Sequence, residues 1–303
     1  MANPGESLVL EDLVDKLLNQ SISVYDMVDY CKKHQEIATP ALKELVSKHE
    51  SPYVRLCSAW SLGEIADKSA IPILKEAYGT EDEVNARANM AWAQFMIDPH
   101  HIDEDQFDAF LLDKYYVIPL IALKRFSGLH DLQGKYDFLK YYSYHENILV
   151  RSELLRNIKS FTHATDINDT LRHELYTTEE PLLKSELINA IGATNHIDSV
   201  DILMDYYSEF KDEIANNETL AYSIVNAMLF LSQSRPYKIL HEMYHTQKSK
   251  LVRWRIIETL ASAGGPNSLT ILKEINKSEA DAELKSISQK FIALTKVTTN
   301  YEV

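Results

Sequence analysis

Residues Ser51–Tyr78 read SPYVRLCSAWSLGEIADKSAIPILKEAY. Pro52 stands where a helix opens, Gly63 near where that helix ends, and Pro72 at the start of a second one. In the second helix Ile73, Leu74 and Ala77 fall on one side at 100° per residue, the pattern of a face turned to a core. The stretch is one antiparallel helix pair joined by a short turn.

The same pair recurs along the chain. With Val54 as marker of the first helix, equivalent apolar residues fall at Ala86, Ile118, Val150, Leu183, Leu220, Val252 and Leu284. The steps between them are 32, 32, 32, 33, 37, 32 and 32 residues. A basic residue follows the marker at Arg55, Arg87, Arg151, Lys184, Arg253 and Lys285, while Pro119 and Ala221 are exceptions. The second helix keeps the same phase through Ile73-Leu74, Ile202-Leu203, Ile239-Leu240 and Ile271-Leu272. An acid follows each pair at Glu76, Asp205, Glu242 and Glu274, then a tyrosine at Tyr78, Tyr207 and Tyr244, with Asn276 in the last unit. Agreement at several offsets identifies a tandem repeat of helix pairs. The segments 98–113 and 129–144 lack the Ile-Leu pair, so irregular helix lengths are expected there, without a break in the array.

Upstream, residues 1–7 read as frayed. Leu8, Leu10, Leu13, Leu17 and Leu18 then recur at helical spacing, followed by helices over Val24–Lys33 and Thr39–Lys48 with Pro40 in a first turn. These expectations divide the chain into an N-terminal cap (1–50), a repeat array (51–296) and a flexible tail (297–303), all in one structural body.

Composition narrows the function. The 303 residues carry a formal charge of -14, which repels phosphate backbones and favours a basic protein or peptide over nucleic acid. No run of about 18 apolar residues is long enough to cross a membrane, and the acidic N-terminus lacks the basic region of a signal peptide, so a cytoplasmic protein is expected. Cys31 and Cys57 both sit in apolar helical patterns and read as buried free thiols.

The pattern VRxxSAWSLGEIAD…AIPILKEA resembles the short HEAT-like repeats of phycobiliprotein bilin lyases and of many bacterial scaffold proteins. The resemblance is strongest over Val54–Ala77, weaker over Val84–Asp98 and Lys250–Ile275, and slight between them. It implies an all-α, right-handed α-solenoid of about eight helix pairs whose second helices line the concave face. It does not imply one activity, because the fold hosts scaffolds, lyases, hydroxylases and glycosylases.

Given that architecture, Glu76, Asp205, Glu242 and Glu274 stack into an acidic row edged by Tyr78, Tyr207 and Tyr244. Such a row suits a basic or amphipathic segment through charge steering and cation–π contacts. A non-enzymatic protein-interaction scaffold without a cofactor is the leading expectation, and a bilin-lyase-like enzyme or chaperone the alternative. His241-Glu242-Met243-Tyr244-His245 matches the HExxH zinc motif. Its residues nonetheless occupy ordinary repeat slots, His241 that of Lys75 and Glu242 that of Glu76. The His-Glu pairs at 49–50, 145–146, 173–174 and 241–242 fall at different repeat phases, unlike the in-phase pairs of HEAT-repeat hydroxylases. His100 and His101, among Asp98, Asp103, Glu104 and Asp105, read as the cap of the next helix more readily than as a metal site. Trp60 and Trp92 share a register 32 residues apart and are expected to pack in the core or on a flank.

Overall fold

The computed structural model describes residues 12–161, 167–196, 198–231 and 237–299, and no β-strand is present among them. Leu8, Leu10 and Pro236 lie outside these residues. Two compact units meet between Gln133 and Gly134, inside the degenerate stretch of the repeat. Each unit is an α-solenoid stack of helix pairs.

The first unit holds α1 (Val24–Lys33), α2 (Gln35–Lys48), α3 (Pro52–Ile65), α4 (Ile71–Thr80), α5 (Val84–Ile97), α6 (Glu104–Leu111) and α7 (Val117–Phe126). Helix α1 opens on a capping box in which Ser23 and Asp26 satisfy each other's backbone N–H groups. Helix α2 starts at Gln35, four residues before the expected Thr39, which places Pro40 in its second turn. Pro40 is exposed there, so water can reach the carbonyl it leaves unpaired. Helices α1 and α2 both pack on α3.

The second unit holds α8 (Phe138–Tyr144), α9 (Ile148–Arg156), α10 (Ile167–Thr177), α11 (Pro181–Thr194), α12 (Ser199–Glu209), α13 (Lys211–Asn216), α14 (Glu218–Phe230), α15 (Tyr237–Thr246), α16 (Lys250–Ala263), α17 (Gly265–Ser278) and α18 (Ala282–Thr299). Helix α18 runs through Thr299, three residues into the stretch read as a tail.

The irregular lengths expected between 98 and 145 are present. Helices α6 and α8 span 8 and 7 residues, with 3-10 turns at Pro99–His101 and His130–Leu132. Where the Ile-Leu pair is missing in the first unit, aromatic side chains fill the core. Phe107, Phe110 and Phe126 are fully buried, and the Phe107 and Phe126 rings lie 4.9 Å apart.

The most extensive helix–helix contacts lie between first helices, above all α3 with α5 and α11 with α14. Glycine makes this possible. A Cβ on Gly63 would sit 2.7 Å from the Trp92 ring and 3.1 Å from the Ala93 Cα, and one on Gly192 would sit 2.6 Å from the Ala227 Cα. Both glycines therefore serve close helix approach, while the left-handed turns that end α3 and α11 fall on Ala66 (φ 60°) and Asn195 (φ 50°).

Replacing Gly192 by alanine drives a methyl into the α14 backbone. Overpacking of this kind costs about 1–3 kcal/mol, less the ~1 kcal/mol that alanine gains in helix propensity. A lowered thermal midpoint in calorimetry is the expected outcome. The same change at Gly79, where a Cβ would meet nothing within 4 Å, should leave it unchanged or raised.

Candidate functional site

The four carboxylates of the second-helix row lie near or at the surface, as their helical phase requires. Glu76, Asp205 and Glu274 are exposed and Glu242 half-buried. Three of the four already have a basic partner on the preceding helix pair. Arg172 lies 3.6 Å from Asp205, Lys211 2.7 Å from Glu242, and His241 3.4 Å from Glu274. Asp205 and Glu242 thus have intramolecular cations, while the His241–Glu274 contact is an ion pair only when the imidazole is protonated.

The tyrosine edge of that row is not at the surface. Tyr78, Tyr207 and Tyr244 are 4%, 3% and 3% exposed. The physical reason is a clamp built by the next first helix. The Tyr78 hydroxyl donates to Asp113 at 2.6 Å, and the Arg87 guanidinium lies 4.1 Å above the Tyr78 ring while its Nε donates to the same carboxylate at 2.8 Å. The second unit repeats the arrangement. There the Tyr244 hydroxyl donates to Glu279, and Arg253 donates to that carboxylate at 3.0 Å. Arg55 forms a bidentate pair with Glu81, at 2.6 and 2.8 Å. Burial pushes the Glu81 carboxyl up and the Arg55 guanidinium outweighs it, leaving the group below its ordinary value. The spacing Tyr, then Arg nine residues on, then an acid 26 further is readable in the sequence at 78–87–113 and 244–253–279.

The HExxH residues lie on α15. The His241 and His245 Nε2 atoms approach to 3.1 Å, but the Glu242 carboxylate is held by Lys211 of the preceding pair. Near the other histidines, Asp98 caps the 3-10 turn by accepting from the His100 N–H at 3.0 Å, and its carboxylate contacts Lys68 at 2.6 Å and His101 Nδ1 at 2.9 Å. His100 and His101 are exposed. No group of three or more His, Cys, Asp or Glu side chains that could hold a metal occurs among the described residues.

The Lys68 contact, aided by the cap, holds the Asp98 carboxyl at about 2 against an ordinary 3.8. A depressed carboxyl stabilises the fold above its unfolded value, and that contribution disappears as pH falls through the folded one. Asp98→Asn should therefore be less stable than wild type at pH 7, with the difference shrinking from about pH 4 toward pH 2 in acid-denaturation curves.

A second surface lies on the first-helix side of the first unit. Between α3, α5 and α7 runs an open groove of about 440 Å³ lined by Trp60, Glu64, Asn85, Asn89, Trp92 and Ile121, among others. Trp60 and Trp92 are half-buried and occupy the same position of successive units. Tyr25 of α1 meets Trp60 edge-on, with ring centroids 5.3 Å apart. Trp92 sits over Gly63, so the glycine that admits close helix approach also seats the indole. The expectation that these tryptophans only pack was incomplete, because one helix in isolation does not show that the next leaves a groove beside it. In the second unit the same register carries Arg156, Asn189, Asn226 and Glu258. There the side chains bond one another, with Arg156 donating to Glu186 at 2.6 Å and Asn226 to Asn189 at 3.0 Å.

A protein-family model described as HEAT repeats matches residues 31–93, which span the end of α1 through most of α5. The chain is a HEAT-repeat protein. No curated protein matches its sequence. The matched HEAT segment contains Trp60, Glu64, Asn85, Asn89 and Trp92, so the groove is built mainly from the part of the array closest to the family pattern. HEAT-repeat proteins generally mediate protein–protein interactions and are typically non-enzymatic. No helix among the described residues is long and apolar enough to cross a membrane.

Proposed function

We propose that this HEAT-repeat protein is a non-enzymatic scaffold that binds a segment of another protein in the Trp60–Trp92 groove. The observation that carries the reading is the groove itself, with two half-buried indoles in one repeat register. Tryptophan in a partly desolvated pocket is the commonest anchor of a protein interface. The second-helix row is the weaker site, since its tyrosines are buried and a partner there would have to displace the cations on Asp205 and Glu242. What weighs against a bilin-lyase-like activity is the state of the thiols. Cys31 and Cys57 are buried, and burial pushes both up to about 11, far from a reactive thiolate. A cytoplasmic setting fits two unpaired thiols.

The test is affinity capture from the native extract with three baits. Wild type should retain a partner, Asn89→Arg, which fills the groove with a long side chain, should lose it, and the triple reversal Glu76→Lys, Asp205→Lys, Glu242→Lys should keep it. Loss with the triple reversal and retention with Asn89→Arg would place binding on the second-helix row instead.

A further inference from the structure

The polar lining of the groove is matched to one kind of side chain. The Asn89 amide nitrogen donates to the Asn85 backbone carbonyl at 2.9 Å, and the Asn85 amide nitrogen to Glu83 at 3.1 Å. Both asparagine side chains therefore present carbonyl oxygens. Glu64 receives Lys32 on one carboxylate oxygen at 2.9 Å and keeps the other. The lining thus combines three side-chain acceptors with two half-buried indoles, while each asparagine amide keeps a second N–H. The surrounding charge agrees. Residues 1–133 hold 12 Lys and Arg against 22 Asp and Glu, so -10 of the chain's -14 lies in this unit.

We infer that the groove is a guanidinium site, which takes an arginine side chain of the bound segment between Trp60 and Trp92. This rests on the scaffold reading above and names its ligand chemistry. A guanidinium is planar, weakly hydrated and donor-only, so it stacks on indole while giving N–H bonds in its own plane to Asn85, Asn89 and Glu64. An ammonium gains the charge term without the planar stacking, and a carboxylate meets Glu64 and the negative charge of the unit. The indole N–H groups suit backbone carbonyls of the same segment.

The experiment uses the full chain with ¹⁵N-labelled tryptophan. Its three indole N–H signals are assigned by single Trp→Phe variants, and Trp254, in the other unit, serves as internal control. The probes are an acetylated and amidated peptide of alternating Arg and Gly, and the same peptide with citrulline, the neutral isostere of arginine. The arginine peptide should shift the Trp60 and Trp92 signals and leave Trp254 in place, and citrulline should bind about tenfold or more weakly. Glu64→Gln should weaken the arginine peptide several-fold with the circular dichroism spectrum unchanged. Equal binding of both peptides, no shift at Trp60 and Trp92, or an equal shift at Trp254 would overturn the inference. If the peptide fails while capture of the partner still depends on position 89, only the arginine assignment falls. If capture is also indifferent to that position, the scaffold reading falls with it.

Discussion

Replacing Arg87 by alanine is expected to destabilise the protein by about 3–5 kcal/mol, the cost of leaving one member of a buried ion pair uncompensated. Asp113 has a side chain only 1% exposed, and it accepts from both Arg87 and the Tyr78 hydroxyl. Without the guanidinium, its charge stays buried with only neutral donors, the Tyr78 hydroxyl and the Tyr115 N–H, and the Tyr78 ring loses its cation. Arg87 also bonds the backbone carbonyls of Tyr78 and Glu81, so its removal loosens the link between α4 and α5. Arg253→Ala should act similarly in the second unit, where Glu279 is 2% exposed and joined to Tyr244. Urea unfolding measures both. A sharper form is a double-mutant cycle, in which Arg87→Met with Asp113→Leu should be more stable than Arg87→Met alone, because the orphaned charge is gone. A loss below ~1 kcal/mol for Arg87→Ala would mean that the pair is solvated like an ordinary surface bridge.

Replacing Trp92 by alanine is expected to weaken the partner recovered by capture by about 30-fold or more, since truncating a central aromatic anchor costs about 2 kcal/mol or above. Trp92 is half-buried, flanked by Asn89 on its own helix, and braced from below by Gly63. Trp60→Ala should act in the same direction, with an added loss from the displaced Tyr25 ring. Because both tryptophans also pack against neighbouring helices, each variant needs its thermal midpoint measured beside its affinity. Gly63→Ala offers a check that leaves both anchors in place. A methyl there collides with the Trp92 ring, so binding should fall although no groove residue has been removed. Unchanged titration curves for Trp60→Ala and Trp92→Ala would exclude the groove as the contact surface.

The fold was legible because its signals are local or strictly periodic. The Ile-Leu pairs, the helix-opening prolines and the Gly63–Gly192 register each act within one helix pair, and periodicity carries them along the chain. The tyrosines were misplaced because a helical wheel shows only one helix. From Ile73, Leu74 and Ala77, Tyr78 falls on a flank, and only the next first helix, which brings Arg87 over the ring and Asp113 to the hydroxyl, makes that flank interior. The offsets of nine and 26 residues were on the page, but their meaning depends on which helices become neighbours. The close contact between first helices was readable in part, because the small residues Ala59, Gly63, Ala88, Ala190, Gly192 and Ala227 all lie on them. The groove was half visible. The shared register of Trp60 and Trp92 was plain, but a gap between helices has no sequence signature of its own.

Two arrangements of the same repeat compete for the binding role, the first-helix groove and the second-helix carboxylates. Site-specific photo-crosslinking in the native cells separates them directly. A benzophenone side chain replaces the exposed Tyr25 ring beside Trp60 in one variant and Glu76 in another, both on the first unit but on different helices. The account predicts a discrete crosslinked partner from position 25 and none from position 76. A partner captured from position 76 with nothing from position 25 would contradict it.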